Sequence, residues 1–179
     1  QEVDELLSRA QKMTLAECLH QQGKLPKRIS HCDTKADNIL FDENENVLCV
    51  IDLDTTMPGF VMADFGDFMR TAGNCGAEDD PCLDNVKVNM EVFRNFANGY
   101  LREASFLTPL ERHLLPHGAQ RMAYMQAVRF LTDYLNGDTY YKTNYPQHNL
   151  TRTRAQMKLL QSLDEHLQEM NDFISSLSI

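Results

Sequence analysis

The stretch that most restricts this chain runs from His31 to Asp54. It reads His31-Cys32-Asp33-Thr34-Lys35-Ala36-Asp37-Asn38, then two apolar runs, then Val50-Ile51-Asp52-Leu53-Asp54. The runs Asn38-Ile39-Leu40-Phe41 and Val47-Leu48-Cys49-Val50-Ile51 flank the polar segment Asp42-Glu43-Asn44-Glu45-Asn46. Strand, polar turn, strand is the pattern of an antiparallel hairpin. Pairing of that kind brings Asn38, at the start of one strand, to the same end of the ribbon as Asp52, just past the other. The remaining chain has to hold this ribbon and the polar loop that leads into it.

The periodicity of the rest is helical. Val3, Leu6, Leu7, Ala10, Met13 and Ala16 recur at spacings of three and four, which predicts a helix over 1–22 that Gly23 stops. Leu25-Pro26 turns the chain, and Arg28-Ile29-Ser30 enters the loop in extended form. Met57-Pro58-Gly59 reads as a turn, and Asp64 or Asp67 as the cap of a short helix to about Ala72. Gly73 to Asp84, with its glycines, proline and acids Glu78-Asp79-Asp80, reads as a mobile, solvated surface loop. A helix is expected from Asn85 to about Glu103, with Val88, Val92, Phe93, Phe96 and Tyr100 on one face. Thr108-Pro109 with Glu111 predicts a capped helix start, and Pro116 a kink or restart. A long helix then runs to Leu135 and stops at Asn136-Gly137. A tyrosine-rich loop covers 138–148, and a last helix opens at Asn149 or Thr151 and runs to about Ser175. The expected fold is mainly α with one small catalytic β-hairpin, a single unit over 1–179.

Charge and cysteine usage narrow the function. Seventeen Lys+Arg against 26 Asp+Glu leave a net charge of -9, which argues against a general nucleic-acid or membrane-surface binder. No run approaches the roughly 18 apolar residues of a membrane span, and no signal peptide opens the chain. The five cysteines are unevenly spaced and read as reduced thiols of a cytoplasmic protein, not as a zinc site. His20, His113, His117, His148 and His166 lack ligand spacing and are assigned surface or capping roles. Met122 and Met125 beside Tyr124 read as helix packing.

The chemistry lies in the loop and the hairpin. Asp33 is suited to accept a proton from an attacking hydroxyl, and Asn38 with Asp52 supply two hard oxygens for Mg²⁺ on a nucleotide. Lys35, two residues after the base, is placed to neutralise a phosphoryl group in transfer. His31 is expected to brace the loop backbone, and Asp54 to be a bracing or second metal carboxylate. Asp64-Phe65-Gly66 spells the metal-binding triplet of protein kinases but comes twelve residues after Asp52, which already follows the second strand. Asp64 is therefore read as a support for the loop or a helix start.

These motifs resemble the protein-kinase-like superfamily, and within it the aminoglycoside phosphotransferase and choline kinase group. His31-x-Asp33-Thr34-Lys35-x-x-Asn38, Val50-Ile51-Asp52-Leu53-Asp54-Thr55-x-Met57-Pro58-Gly59, Asp64-Phe65-Gly66-Asp67 and Thr132-Asp133-Tyr134-Leu135-Asn136-Gly137-Asp138-Thr139-Tyr140-Tyr141-Lys142 are similar to bacterial N-acetylhexosamine 1-kinases. The resemblance implies an ATP- and Mg²⁺-dependent enzyme of carbohydrate metabolism that phosphorylates an anomeric hydroxyl. It makes Asp33 the base, Asn38 and Asp52 the metal ligands, and Arg129 and Tyr140 the sugar contacts. Aminoglycoside, choline or amino-alcohol kinases are the alternative, and a non-catalytic binding module derived from a kinase is another.

The resemblance also implies a second lobe. Nothing here reads as a glycine-rich phosphate loop or as a strand lysine paired with a helix glutamate. The chain opens on Gln1 within a helical pattern. It is accordingly expected to be the C-terminal catalytic lobe of an aminoglycoside phosphotransferase-type fold, without its N-terminal ATP-binding lobe and inactive alone.

Overall fold

Helix–helix contact at two glycines sets the centre of the molecule, whose computed structural model describes residues 1–177. Helix α3 is counted after α1 (Glu2–Met13) and α2 (Leu15–Gln21) and spans Val61–Thr71; α6 spans Leu115–Leu135. A Cβ on Gly66 would lie 2.3 Å from the backbone of Gly118, and one on Gly118 would lie 1.9 Å from the Met62 carbonyl oxygen. The two backbones therefore touch, which only glycine allows. Phe65, beside this crossing, is fully buried and packs against Phe93, Phe96 and Tyr100. In the triplet Asp64-Phe65-Gly66, Phe65 thus serves the core and Gly66 the helix crossing.

Around this pair lie α4 (Met90–Glu103), α5 (Pro109–His113), α7 (His148–Glu165) and α8 (Leu167–Ser176). Thr108 and Glu111 form the expected capping box, and α6 ends where Asn136-Gly137 predicts. Three helices differ from expectation. The first is split at Thr14, whose hydroxyl donates to the Gln11 carbonyl at 2.8 Å and so competes with the helical pattern. The last is split at His166, whose Nδ1 bonds the Ser162 carbonyl at 2.8 Å. Helix α4 starts at Met90 and not Asn85, because Asn89 takes the cap, accepting from the Glu91 and Val92 amides.

Four short strands complete the fold. β1 (Arg28–Ser30) pairs antiparallel with β4 (Met57–Gly59), and β2 (Ile39–Phe41) with β3 (Val47–Val50). Met57-Pro58-Gly59 is therefore a strand and not a turn; proline is tolerated in so short a two-stranded ribbon, which has open edges. Gly59 lies opposite Arg28, where a Cβ would come within 3.2 Å of the Ser30 Cβ. The β2–β3 turn is closed by Asp42, whose Oδ1 accepts the Asn44 and Asn46 amides at 2.9 and 2.8 Å.

Segment 73–89 lies largely at the surface, as expected, but it is tied down at many points. The Cys75 amide donates to the Lys87 carbonyl and the Asn89 amide to the Gly73 carbonyl. Glu78 pairs with Arg70, Asp79 with His148, and Asp80 accepts from the Cys82 amide and Asn85. His148 is fully buried and His117 nearly so, so of the surface or capping roles expected of them the surface one does not hold. A polar pattern cannot tell solvated charges from charges paired across 69 residues of chain.

Candidate active site

The loop from His31 to Asn38 is held from below by Asp64. Its Oδ2 accepts the His31 amide at 2.8 Å, its Oδ1 accepts the Cys32 amide at 2.9 Å, and the Thr34 hydroxyl donates to its carbonyl at 2.5 Å. Cys32 needs this support, because it sits in the left-handed region at φ 67. Asp64 lies in the first turn of α3, and the helix has Phe60 and no side chain at its cap. Neither Asp64 nor Asp67 caps α3: the first points its carboxylate into the loop, and the second is buried against Arg70.

His31 is bonded through its ring to backbone on both sides. Nε2 donates to the Ile51 carbonyl at 2.9 Å, which leaves Nδ1 to accept the Asp33 amide at 3.3 Å. The ring links the loop to the end of β3, and the Thr55 hydroxyl adds a bond to the His31 carbonyl at 2.7 Å. A second tie runs from the Ile51 amide to the Asn38 carbonyl at 2.9 Å. The hairpin therefore brings Asn38 and Asp52 to one end of the ribbon, with Asp52 at φ 66, also left-handed. Asp54 is exposed in the turn Leu53–Thr55.

Asp33 stands between Lys35 and Asn38. Lys35 Nζ lies 2.7 Å from Asp33 Oδ2, and Asn38 Nδ2 donates to the same oxygen at 3.0 Å and to the Asp33 carbonyl at 2.8 Å. Burial works to raise the Asp33 pKa, but these two hydrogen bonds and the Lys35 charge outweigh it and hold the carboxyl below its ordinary value. The same bond raises the Lys35 pKa, against partial desolvation. Asn38 commits its amide nitrogen to Asp33, so its Oδ1 is the atom it can offer a cation.

The donor set fits magnesium. An amide oxygen and a carboxylate are hard ligands of the kind Mg²⁺ takes, and Asn38 and Asp52 are the residues that would hold it. Among the described residues no cluster of three or more His, Cys, Asp or Glu forms a closed protein cage.

Beneath the loop lies an ion-pair network that sequence reasoning missed. Arg70 Nε donates to Asp67 Oδ1 at 2.8 Å, and its Nη1 bonds Glu78. Asp67 has its pKa raised, first by burial and then by the negative charges of Asp33 and Glu78, against the opposing pull of Arg70. The Asp67–Arg70 spacing of three on a helix was readable; Glu78, from a separate loop, was not. Lys35, Arg70 and Glu78 line a cleft of about 320 Å³.

Arg129 and Tyr140 share a different cleft, of about 420 Å³, with Tyr141, Thr132 and Asn136. The Arg129 guanidinium lies 5.5 Å from the Tyr141 ring and 6.0 Å from that of Tyr140. Burial raises the Tyr141 pKa, Arg129 lowers it, and the Glu78 charge adds to the rise.

A loop-borne aspartate thus stands between a lysine and an asparagine, with a carboxylate just after β3, on a mainly helical frame. Residues 1–104 match the sequence model of APH, described as the phosphotransferase enzyme family. The chain belongs to that family. The match takes in Asp33, Lys35, Asn38, Asp52, Asp64, Asp67 and Arg70 and ends before α6, so Arg129 and Tyr140 lie outside it.

Proposed function

We propose that this chain is the C-terminal catalytic lobe of an ATP-dependent small-molecule kinase whose acceptor is the anomeric hydroxyl of an N-acetylhexosamine. The observation that carries the reading is Asp33, kept ionised by Lys35 and Asn38 at the hairpin end that also bears Asp52. In this reading Asp33 orients the acceptor hydroxyl and takes its proton as the oxygen bonds to the γ-phosphorus and the bond to ADP breaks. A lowered pKa makes Asp33 a weak base, which suits a loose transition state in which proton transfer is late and orientation matters more than basicity. Lys35 neutralises the phosphoryl oxygens. Asn38 and Asp52 would hold Mg²⁺, which would supply charge neutralisation of the nucleotide phosphates.

A neutral acceptor is favoured over a cationic aminoglycoside or choline by the Arg129 cleft. Its cation already occupies the aromatic faces that a quaternary or polyamine ligand would want. The cleft's carboxylate, Asp133, spends its oxygens on backbone amides and Asn149. Thr132, Asn136 and the tyrosine hydroxyls suit sugar hydroxyls, and the Arg129 fork suits an acetamido carbonyl.

The ATP-binding lobe is assigned to the exposed side of the hairpin. Phe41, Val47, Leu48 and Val50 are exposed there, an apolar surface of the kind that a partner domain covers. Without that lobe the chain binds ATP poorly and turns over little; the implied compartment is the cytoplasm. The deciding assay offers the complete protein N-acetylhexosamines, aminoglycosides and choline with ATP. Selective phosphorylation of the first, abolished in Asp33→Asn with the fold intact, is the expected result; normal turnover in that variant would sink the assignment.

A further inference from the structure

At the end of α6 the chain reverses in a way that spends a buried charge. Gly137 and Asp138 follow one another at φ 86 and φ 57, and the Asp138 amide returns to the Asp133 carbonyl at 2.8 Å. This turn lays 139–141 back along the helix, with three successive amides aimed at one carboxylate. Thr139 and Tyr140 donate to Asp133 Oδ1 at 2.9 and 2.8 Å, and Tyr141 donates to Oδ2 at 3.0 Å. Asn149, fully buried at the start of α7, donates through Nδ2 to Asp133 Oδ2 and to Asp138 Oδ1, each at 2.8 Å. Burial of Asp133 would raise its pKa, but these donors outweigh that and hold it low, so the anchor stays charged.

The consequence falls on the cleft wall. The Tyr140 backbone is fixed, while the residue as a whole is 74% exposed, which leaves its hydroxyl end open to a ligand. Tyr141 is wedged between Phe130, at 4.8 Å between ring centroids, and the Arg129 guanidinium. We infer that Asp133 is a positioning residue for the acceptor: its carboxylate, satisfied by the 139–141 amides and Asn149, sets Tyr140 and Tyr141 against Arg129. The inference rests on the reading of the Arg129–Tyr140 cleft as the acceptor site, and it deepens that reading. A merely structural Asp133 would lower stability or kcat without regard to which substrate is varied; a positioning Asp133 acts on acceptor binding and leaves ATP alone.

The test is Asp133→Asn in the complete protein, read by amide exchange and by steady-state kinetics with N-acetylhexosamine and ATP varied separately. Asparagine turns one acceptor into an NH₂ that faces backbone donors, so 139–141 should lose exchange protection while α6 keeps its own. The acceptor KM should rise about tenfold or more, the scale of one unsatisfied buried group, with the ATP KM unchanged. Retained protection at 139–141, or an unchanged acceptor KM while Arg129→Ala raises it, overturns the inference and leaves the cleft reading standing. If Arg129→Ala and Tyr140→Ala also leave the acceptor KM unchanged, the cleft reading fails and the inference falls with it. Should Asp133→Asn not fold, Asn149→Ala keeps the three amide bonds and carries the same test. A smaller rise in acceptor KM with faster exchange at Tyr141 supports the inference, and no change in either overturns it.

Discussion

Lys35 Nζ lies 2.7 Å from Asp33 Oδ2 and 3.9 Å from Asp52 Oδ2, so one ammonium answers both the proposed base and the proposed metal carboxylate. With Lys35 removed, the strongest influence lowering the Asp33 pKa is gone, and burial is left opposed mainly by Asn38. Lys35→Met should therefore move the acidic limb of the kcat/KM profile upward in pH. It should also reduce kcat roughly 100-fold or more, as loss of one preorganised charge at a reacting centre does. A pH–rate series on the complete protein reads both. An unmoved limb would mean that Lys35 does not control the titration of Asp33.

Asp64 should matter more to the fold than its kinase-like spelling suggests. It satisfies two consecutive loop amides with a charged acceptor, and Cys32 keeps its left-handed φ only while those bonds hold. Asp64→Ala should cost about 2–4 kcal/mol by chemical denaturation, the scale of one or two hydrogen bonds to a charged group. Asp64→Asn, which keeps one acceptor oxygen, should cost less. Equal losses in the two variants would mean that the fork is not what holds the loop.

What the sequence revealed and what it hid divide by range. The hairpin, the Thr108 capping box and the Asn136-Gly137 stop are local, and local residue types determine them, so they could be read directly. The loop's polar residues were legible because their spacing is set by one turn and one hairpin. The pairing of β1 with β4 was not, since it joins segments about thirty residues apart and one of them is only Met-Pro-Gly. Glu78 and Asp79 looked like loop acids because their partners, Arg70 and His148, are set by how helices pack. The splits at Thr14 and His166 come from side chains bonding their own helix's carbonyls, a competition that hydrophobic periodicity does not register.

Gly118 should tolerate no side chain. Gly→Ala in a helix gains about 1 kcal/mol of propensity. Here the added methyl would sit 1.9 Å from a backbone oxygen, and backbone cannot move aside as a side-chain tip can. Separating α3 from α6 should cost about 3 kcal/mol or more, so the clash wins. Gly118→Ala should therefore lower the denaturation midpoint, whereas Gly99→Ala, where nothing lies within 4 Å, should raise it slightly. A stabilised Gly118→Ala would show that the helices do not touch there.

The pairing of Arg28 with Glu111 should make the fold acid-sensitive. Arg28 Nε and Nη2 meet the two Glu111 oxygens at 2.6 and 2.9 Å, and the Thr108 amide and hydroxyl add donors at 2.8 and 2.9 Å. The Arg28 bond, with the Thr108 donors, holds the Glu111 pKa below its ordinary value despite burial. A carboxyl whose folded pKa is depressed contributes its full stability above the unfolded value of about 4.3 and loses it as pH falls through the folded value. Asp33 and Asp133 are depressed in the same direction and lose stability in the same window. These three carboxyls should thus support the denaturation midpoint in full from neutral pH down to about 5 and lose that support below it. In Glu111→Gln it should be lower at pH 7, and the acid slope should be shallower by the contribution of that one group. An acid slope unchanged in Glu111→Gln would mean that the Arg28–Glu111 contact, which ties β1 to α5, is not coupled to folding.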